Sequence, residues 1–222
     1  MNGIQTKSSF LQDTELFRGM YPAEIDRMCT LLQFGAASYH EGAVLIAEGS
    51  PIQRFGIVAA GTVRVSMAAA GGGRLTLADV AQGSAFAECH AFLGTEESPI
   101  RAAALSGCSV FWFEAFLLRN PDFRSDVAFS RFCVNYMGFM ARQSLAFNDR
   151  IQTLSRKTLR EKLNAYFSRE ILRQRSRDIR VGMDRNELAD YLGTDRSSLS
   201  RELARMKRDE LLDYEKNHFV IR

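Results

Sequence analysis

The sequence predicts an α+β protein in which an all-β N-terminal half precedes a long helix and a small helical domain that ends in a β-hairpin. Three observations predict it. Short apolar runs alternate with glycine-containing turns over residues 34–114, apolar residues recur at helical spacing over about 125–154, and two short amphipathic helices flank Gly193. A chain of 222 residues suits one or two domains. We place the domain limit between 154 and 155.

The β-rich half is built from apolar runs of three or four residues, at 44–46, 55–58, 63–65, 75–77 and 110–113. Turn residues separate them, including Gly42, Gly49, Gly61 and Gly83. Many short strands with turns at this spacing form a barrel or jelly roll. Since a small barrel can enclose one ligand, the pattern also suggests a binding function.

The long helix follows the β-rich half. Its apolar residues include Phe132, Met137, Met140, Phe147 and Ile151. A helix this long and apolar cannot bury its own surface alone. The pattern does not decide between pairing with a second copy and packing on its own barrel.

Two short helices flank Gly193 in the last third of the chain. Asp184 with Glu187 three residues later forms the capping-box pattern that starts a helix. Gly193 suits the left-handed conformation that ends one, and Thr194 or Asp195 caps the next. A further helix is predicted upstream, over 155–172, followed by this pair.

The second helix of the pair has two different faces. Its apolar stripe is Leu199, Leu203 and Met206. The opposite face carries Arg196, Ser197, Ser200 and Arg201. Small polar residues and arginines on a helix held by a partner helix fit the major groove of DNA. The alternative is a helical hairpin with a solvated basic face.

The context favours DNA binding. Two short apolar runs around Asn217 read as a β-hairpin, which is a wing when it follows a recognition helix. Residues 155–222 hold 17 Lys and Arg against 12 Asp and Glu, whereas the whole chain has a net charge of only +3. Positive charge is therefore concentrated where phosphates would be neutralised.

Composition excludes several other classes. No apolar run is long enough to span a membrane, and the first ten residues lack a signal-peptide core, so we expect a cytoplasmic protein without a membrane partner. Four scattered cysteines and three histidines show no metal-ligand spacing, so we expect reduced thiols and no metal. An enzyme on a cupin-like barrel would need a His/Glu metal set, and we expect no enzyme. A binding module without DNA function remains a second alternative.

The chain resembles the CRP/FNR family of regulators. The resemblance rests on Tyr39-His40-Glu41-Gly42, Glu48-Gly49, Gly56-Ile57-Val58, Gly61-Thr62-Val63-Arg64-Val65, Gly83 and Ala87-Glu88, together with the C-terminal winged helix. It runs from about residue 10 to 222. It implies a β-roll (a cupin-like jelly roll) as effector domain, a dimerisation helix over about 125–154, and a homodimer that binds double-stranded DNA and works with RNA polymerase.

The resemblance also locates an effector pocket. Members that bind cyclic nucleotides hold them with a Gly-Glu pair and an Arg-Ser pair, in which the arginine neutralises the phosphate. Here the first pair is Ala87-Glu88, and Ser98-Pro99 occupies the place of the second, with Arg101 nearby. A buried phosphate without an arginine is unfavourable. The sequence therefore disfavours a cyclic nucleotide and leaves an unidentified small molecule as the expected effector.

Haem is a further alternative, since some members hold it through Cys or His in this loop. Cys89-His90 lies near that place, but adjacent residues on a strand point to opposite faces. The iron–sulfur members have an N-terminal cysteine cluster, and this chain has no cysteine before Cys29. We therefore disfavour haem and expect no iron–sulfur cluster.

In the family the recognition helix reads bases and its surroundings contact phosphates. The resemblance assigns base reading to Arg196, Ser197, Ser200 and Arg201. It leaves Arg185, Asn186 and Ser198 as candidates for phosphate contacts. Where members that bind cyclic AMP often carry glutamate after the first arginine, this chain has Ser197, so its half-site should differ.

Overall fold

In the computed structural model, which describes residues 2–69 and 73–222, the first half of the chain folds around two antiparallel four-stranded sheets. The strands are β1 (Gly35–Tyr39), β2 (Val44–Ile46), β3 (Arg54–Ala60), β4 (Thr62–Ala68), β5 (Arg74–Ala81), β6 (Ala85–Phe86), β7 (Arg101–Ala104) and β8 (Cys108–Glu114). Their orders are β1-β8-β3-β6 and β2-β7-β4-β5. The predicted β-roll is confirmed, and each of the five predicted runs lies in a strand.

The interior of this roll is packed with aromatic rings. Phe113 is fully buried and stacks on Phe55 at 5.2 Å between ring centroids. Phe86 meets Trp112 edge-on at 5.3 Å. A Cβ on Gly56 would lie 2.5 Å from the Phe86 ring, so only glycine lets the β3 backbone lie this close to that ring.

Helices surround the sheets of the first unit. They are α1 (Asn2–Gln12), α2 (Pro22–Leu31), the short α3 (Glu88–Leu93) and the long α4 (Val127–Leu154). Two 3-10 helices, Ala115–Arg119 and Pro121–Phe123, precede α4. The predicted long helix is confirmed within two residues at its start.

One face of α4 packs on its own sheets. Phe132 is fully buried, with its ring 5.0 Å from that of Phe17, and Phe129, Tyr136 and Phe139 are buried beside it. Phe132, which the sequence places on the predicted dimerisation helix, is therefore a core residue of its own chain. Met137, Phe147 and Ile151 are 62–64% exposed, and Met140 is half-buried.

The second unit contains α5 (Leu159–Gln174), β9 (Asp178–Arg180), α6 (Arg185–Tyr191), α7 (Arg196–Arg208), β10 (Leu212–Glu215) and β11 (His218–Ile221). The last two strands form the predicted wing, and β9 adds a third strand to it in the order β10-β11-β9. The upstream helix begins at Leu159 instead of 155, because Thr158 and Glu161 form a capping box there.

The two units are Met1–Ala141 and Arg142–Arg222. This division falls inside α4, whereas the sequence placed the domain limit at the end of the helix. The limit after 154 stays a prediction.

Of the described helices, none combines the length and apolar character needed to span a bilayer. Within residues 2–69 and 73–222, no three His, Cys, Asp or Glu side chains converge as metal ligands.

Candidate functional site

Helix α7 separates apolar and polar side chains as the sequence predicts. Leu199 and Leu203 are fully buried, and Met206 is 2% exposed. The opposite face is exposed and carries Arg196, Ser197, Ser200 and Arg201. The apolar stripe fixes the helix on its domain, so the polar face is held towards solvent.

The start of α7 is organised by Asp195, which resolves the choice between Thr194 and Asp195 as the cap. Its carboxylate accepts from the Ser197 hydroxyl at 2.5 Å and from the Ser198 amide at 2.8 Å. These bonds, that from Ser197 first, hold the pKa of Asp195 well below its usual range. The cap therefore positions Ser197 at the exposed end of the helix.

The arginines at the two ends of α7 differ in their partners. Within the described chain neither Arg196 nor Arg201 forms an ion pair, and Arg201 bonds only its own helix, at the Ser197 carbonyl and the Ser198 hydroxyl. At the far end Arg205 lies 3.5 Å from Glu202, and Lys207 lies 2.5 Å from Asp213. Among the described residues of α7, Arg196 and Arg201 in its N-terminal half and Arg208 at its last position therefore form no ion pair.

Arg185, one of the predicted phosphate contacts, is engaged by the wing. Its Nη2 donates to the Lys216 carbonyl at 2.6 Å, and its guanidinium lies 4.8 Å from the Phe219 ring and 5.1 Å from the Tyr214 ring. Burial lowers the pKa of this group from its usual value. Arg185 thus ties α6 to the hairpin, whereas Asn186 is exposed.

The last turns of α4 are fastened to α6 within the second unit. Arg169 donates to the Tyr191 hydroxyl at 2.7 Å and lies 3.8 Å from Asp149 on α4. The guanidinium of Arg150, also on α4, lies 5.5 Å from the Tyr191 ring. We call Asp149, Arg150, Arg169 and Tyr191 the hinge cluster. Sequence reasoning missed it, since nothing in the local pattern distinguishes these residues from solvated ones.

The predicted effector residues lie between the end of β6 and the start of β7. Ala87 caps α3 with a positive φ of 62°, and Glu88 is the first residue of the helix. Ser98 is buried, with its hydroxyl donating to the Ile100 carbonyl at 2.6 Å and accepting from the Ile100 amide at 3.1 Å. Pro99 is exposed. The Ser98 hydroxyl is thus satisfied locally and is not available to a phosphate.

Glu88 and Arg101 do not pair with each other within the described residues. Arg101 is half-buried at the start of β7, opposite Ser66 of β4. Burial raises the pKa of the Glu88 carboxyl. Among the predicted effector residues, no arginine is followed by a serine, which is the pair that holds the phosphate in members that bind cyclic nucleotides.

A cavity of about 520 Å³ lies elsewhere in the first unit, between α3, the 3-10 helix Ala115–Arg119 and α4. It is lined by Cys89, a predicted effector-pocket residue, and by Met137 and Met140, which were predicted on the dimerisation helix. One signal in the sequence went unused: Cys133, Met137 and Met140 follow helical spacing along one flank of α4.

Two family models match the chain. The model described as "Cyclic nucleotide-binding domain" matches residues 36–119, and that described as "Crp-like helix-turn-helix domain" matches residues 159–222. No curated protein matches the chain.

Solved structures show the same fold. A mutant of CooA from Carboxydothermus hydrogenoformans is 20% identical, with a TM-score of 0.56, covering 86% of this chain and 85% of that one. DNR from Pseudomonas aeruginosa is 16% identical, with a TM-score of 0.51, covering 98% and 94%. The N-terminal domain of a transcriptional regulator from Streptomyces coelicolor is 17% identical, with a TM-score of 0.51, covering 61% and 94%.

Proposed function

The chain belongs to the CRP/FNR family of transcription regulators, and on that premise we propose that it binds a near-palindromic DNA operator as a homodimer under the control of a small-molecule effector. It acts in the cytoplasm beside RNA polymerase and catalyses no reaction. The observation that carries the proposal is the exposed face of α7, on which Arg196 and Arg201 lie beside Ser197 and Ser200 and have no acidic partner among the described residues.

This face reads base edges when α7 enters the major groove. An arginine at its N-terminal half matches the two acceptors of guanine. Asn186 and Ser198 lie at helix starts and contact phosphates. Arg185 contacts a phosphate only if its guanidinium leaves the Lys216 carbonyl, so its first role is to hold the wing.

The dimer forms through the exposed apolar residues of α4. Val127 and Val134 are one heptad apart, and Met137 and Ile151 are two heptads apart, as in the seam of a two-stranded coiled coil. All four are 63–72% exposed, and Phe147 is exposed beside them. Two-fold symmetry then requires half-sites about one helical turn of DNA apart.

The effector is a small molecule other than a cyclic nucleotide. The Ser98 hydroxyl is bonded to Ile100, and Ala87 stands where the nucleotide-binding members have glycine. Haem stays disfavoured because Cys89 and His90 are adjacent residues of one short helix, so their side chains point in different directions and would not hold the same iron. Glu88, Cys89 and Arg101 stay candidates for the effector pocket.

Selection from random duplex DNA, followed by fluorescence anisotropy, tests the proposal. Arg201→Ala should weaken binding to the selected operator by about 1–3 kcal/mol and relax base preference at one position of each half-site. Arg205→Ala is the matched control, because Arg205 lies on the same helix but is paired with Glu202. It should leave base preference unchanged.

If the wild-type protein bound every DNA sequence with the same affinity, the regulator proposal would be overturned. An unchanged affinity and preference in Arg201→Ala would overturn the role of α7.

A further inference from the structure

The two exposed serines of α7 differ in how their hydroxyls are bonded. The Ser197 hydroxyl donates to the Asp195 carboxylate, with 2.5 Å between Oγ and Oδ1. Among the described residues, the Ser200 hydroxyl has no hydrogen-bond partner. A serine hydroxyl has one proton to donate and two lone pairs that accept. The proton of Ser197 is therefore already used inside the protein, whereas that of Ser200 can turn towards a partner.

The direction of the bond between Ser197 and Asp195 is fixed by charge. Hydrogen bonds from Ser197 and then from Ser198 hold the pKa of Asp195 well below its usual range, so the carboxylate stays ionised and can only accept. The same carboxylate accepts from the Ser198 amide at 2.8 Å, which keeps it at the start of α7. Reversing the bond would require a protonated Asp195, which does not occur near neutral pH.

The Ser197 side chain is exposed, so its oxygen stays open to a ligand on the solvent side of α7. Because its proton is committed to Asp195, this oxygen presents only lone pairs. The Arg201 guanidinium, which donates to the Ser197 carbonyl at 3.3 Å, supplies donors one turn later. The polar face therefore offers an acceptor at position 197 and donors at position 201.

The bases of DNA fall into two classes by the groups that they present in the major groove. Adenine and cytosine carry an exocyclic amino group that donates, whereas guanine and thymine carry a carbonyl oxygen that accepts. An oxygen that only accepts can bond to the amino bases, but it meets the lone pairs of the keto bases. A serine with an uncommitted hydroxyl can bond to both classes.

We infer that Ser197, oriented by Asp195, selects an amino base, adenine or cytosine, at one position of each half-site, whereas Ser200 does not discriminate between amino and keto bases. The inference rests on the proposed function, because it assigns a class of base to the face that α7 presents to DNA. Asp195 is a positioning residue, since it acts through the Ser197 hydroxyl and not on the base.

Selection of random duplex DNA by the full-length protein, followed by sequencing of the bound pool, tests the class of base. In the wild type, one position of each half-site should hold adenine or cytosine, and Ser197→Ala should lose that preference. In Ser200→Ala, no position should change its ratio of amino to keto bases.

Deletion of the amino group tests the contact itself. Purine in place of the selected adenine, or 2-pyrimidinone in place of the selected cytosine, removes the donor and keeps the ring. Wild-type affinity should fall about fivefold, the value of one neutral hydrogen bond. The affinity of Ser197→Ala should be the same for both duplexes, because its acceptor is already absent.

Two aspartates provide a matched pair of variants. Asp195 and Asp184 each cap a helix of the second unit, but the Asp184 carboxylate accepts from the amides of Asn186 and Glu187 and from no hydroxyl. In Asp195→Asn the cap is retained, and the neutral amide can donate as well as accept, so the Ser197 hydroxyl can reverse. Amino and keto bases should then bind within about twofold of each other. Asp184→Asn should keep the amino preference of the wild type.

Keto bases at the Ser197 position of the wild type, or an unchanged preference in Ser197→Ala, would overturn the inference. So would an equal effect of Asp195→Asn and Asp184→Asn on base preference. If Ser197→Ala fails to fold, Ser197→Cys takes its place, because a thiol is only a weak acceptor. Sequence-specific binding without an amino base at this position overturns the inference alone, whereas absence of sequence-specific binding overturns the proposed function.

Discussion

The two units of the chain carry their chemistry in opposite ways. In the second unit the arginines and serines of α7 lie on an exposed face, and neighbouring residues in the sequence position them. In the first unit the lining of the apolar cavity comes from segments far apart in the chain, from Cys89 to Met140. The face of a helix depends on local signals, whereas a cavity depends on how distant elements pack.

The hydrophobic cores of the units differ as well. The larger core contains Phe55 and Phe113 and extends into α4, and the smaller one contains Phe167, Leu203 and Phe219. The two cores share no residue. A substitution in one core should therefore destabilise its own unit first.

The largest effects are expected from substitutions that disrupt one hydrophobic core and leave the other intact. Phe113→Ala should destabilise the first unit by about 3–5 kcal/mol, because its ring packs on Phe17, Phe34 and Phe55. Leu203→Ala should cost the second unit about 2–5 kcal/mol. Thermal unfolding with limited proteolysis measures which unit is cut first. Loss of both units together in either variant would show that the cores are coupled.

A smaller effect tests the local helix signals of the second unit. Asp184 accepts from the amides of Asn186 and Glu187 at 2.7 and 2.9 Å. Asp184→Ala should destabilise the unit by about 1 kcal/mol, whereas Asp184→Asn should retain most of the cap. Chemical denaturation measures both. Equal stability of Ala and Asn would mean that tertiary packing alone holds α6.

The smallest effect concerns the start of α3. Ala87 adopts φ 62°, a conformation in which a Cβ is unfavourable, so replacing it by glycine removes strain from the folded state. Glycine also increases the conformational entropy of the unfolded chain, which offsets part of this gain in stability. Ala87→Gly should therefore stabilise the first unit by at most about 1 kcal/mol. The buried Ala91 lies in the same helix with ordinary geometry, so Ala91→Gly should lower the melting temperature. A loss of stability in Ala87→Gly would contradict strain at this position.

Much of the second unit was predictable from sequence. The Asp184–Glu187 capping box, the positive φ of Gly193 and the buried stripe of α7 are all confirmed. Each is a signal within one or two turns of a helix. The base-reading roles of Arg196 and Arg201 stay predictions, because they depend on DNA.

The first unit was predictable as a roll but not as a site. Strand β7 is rich in alanine and gave no apolar run, and Phe132 could not be told from its exposed neighbours by composition. The cavity joins a helix after β6 with α4, and no spacing in the sequence predicts that meeting. In the second unit, β9 was not predicted because it has only three residues.

The hinge cluster has a consequence for signalling. At the end of α6, Tyr191 accepts a hydrogen bond from Arg169 and lies against the guanidinium of Arg150. The turn at Gly193 follows directly, and a Cβ added there would lie 3.3 Å from the Leu154 side chain. The last turn of α4 and the turn between α6 and α7 are therefore packed together inside the second unit. If α7 reads DNA as proposed, a rotation of that last turn of α4 would change the angle at which Arg196 and Arg201 are presented.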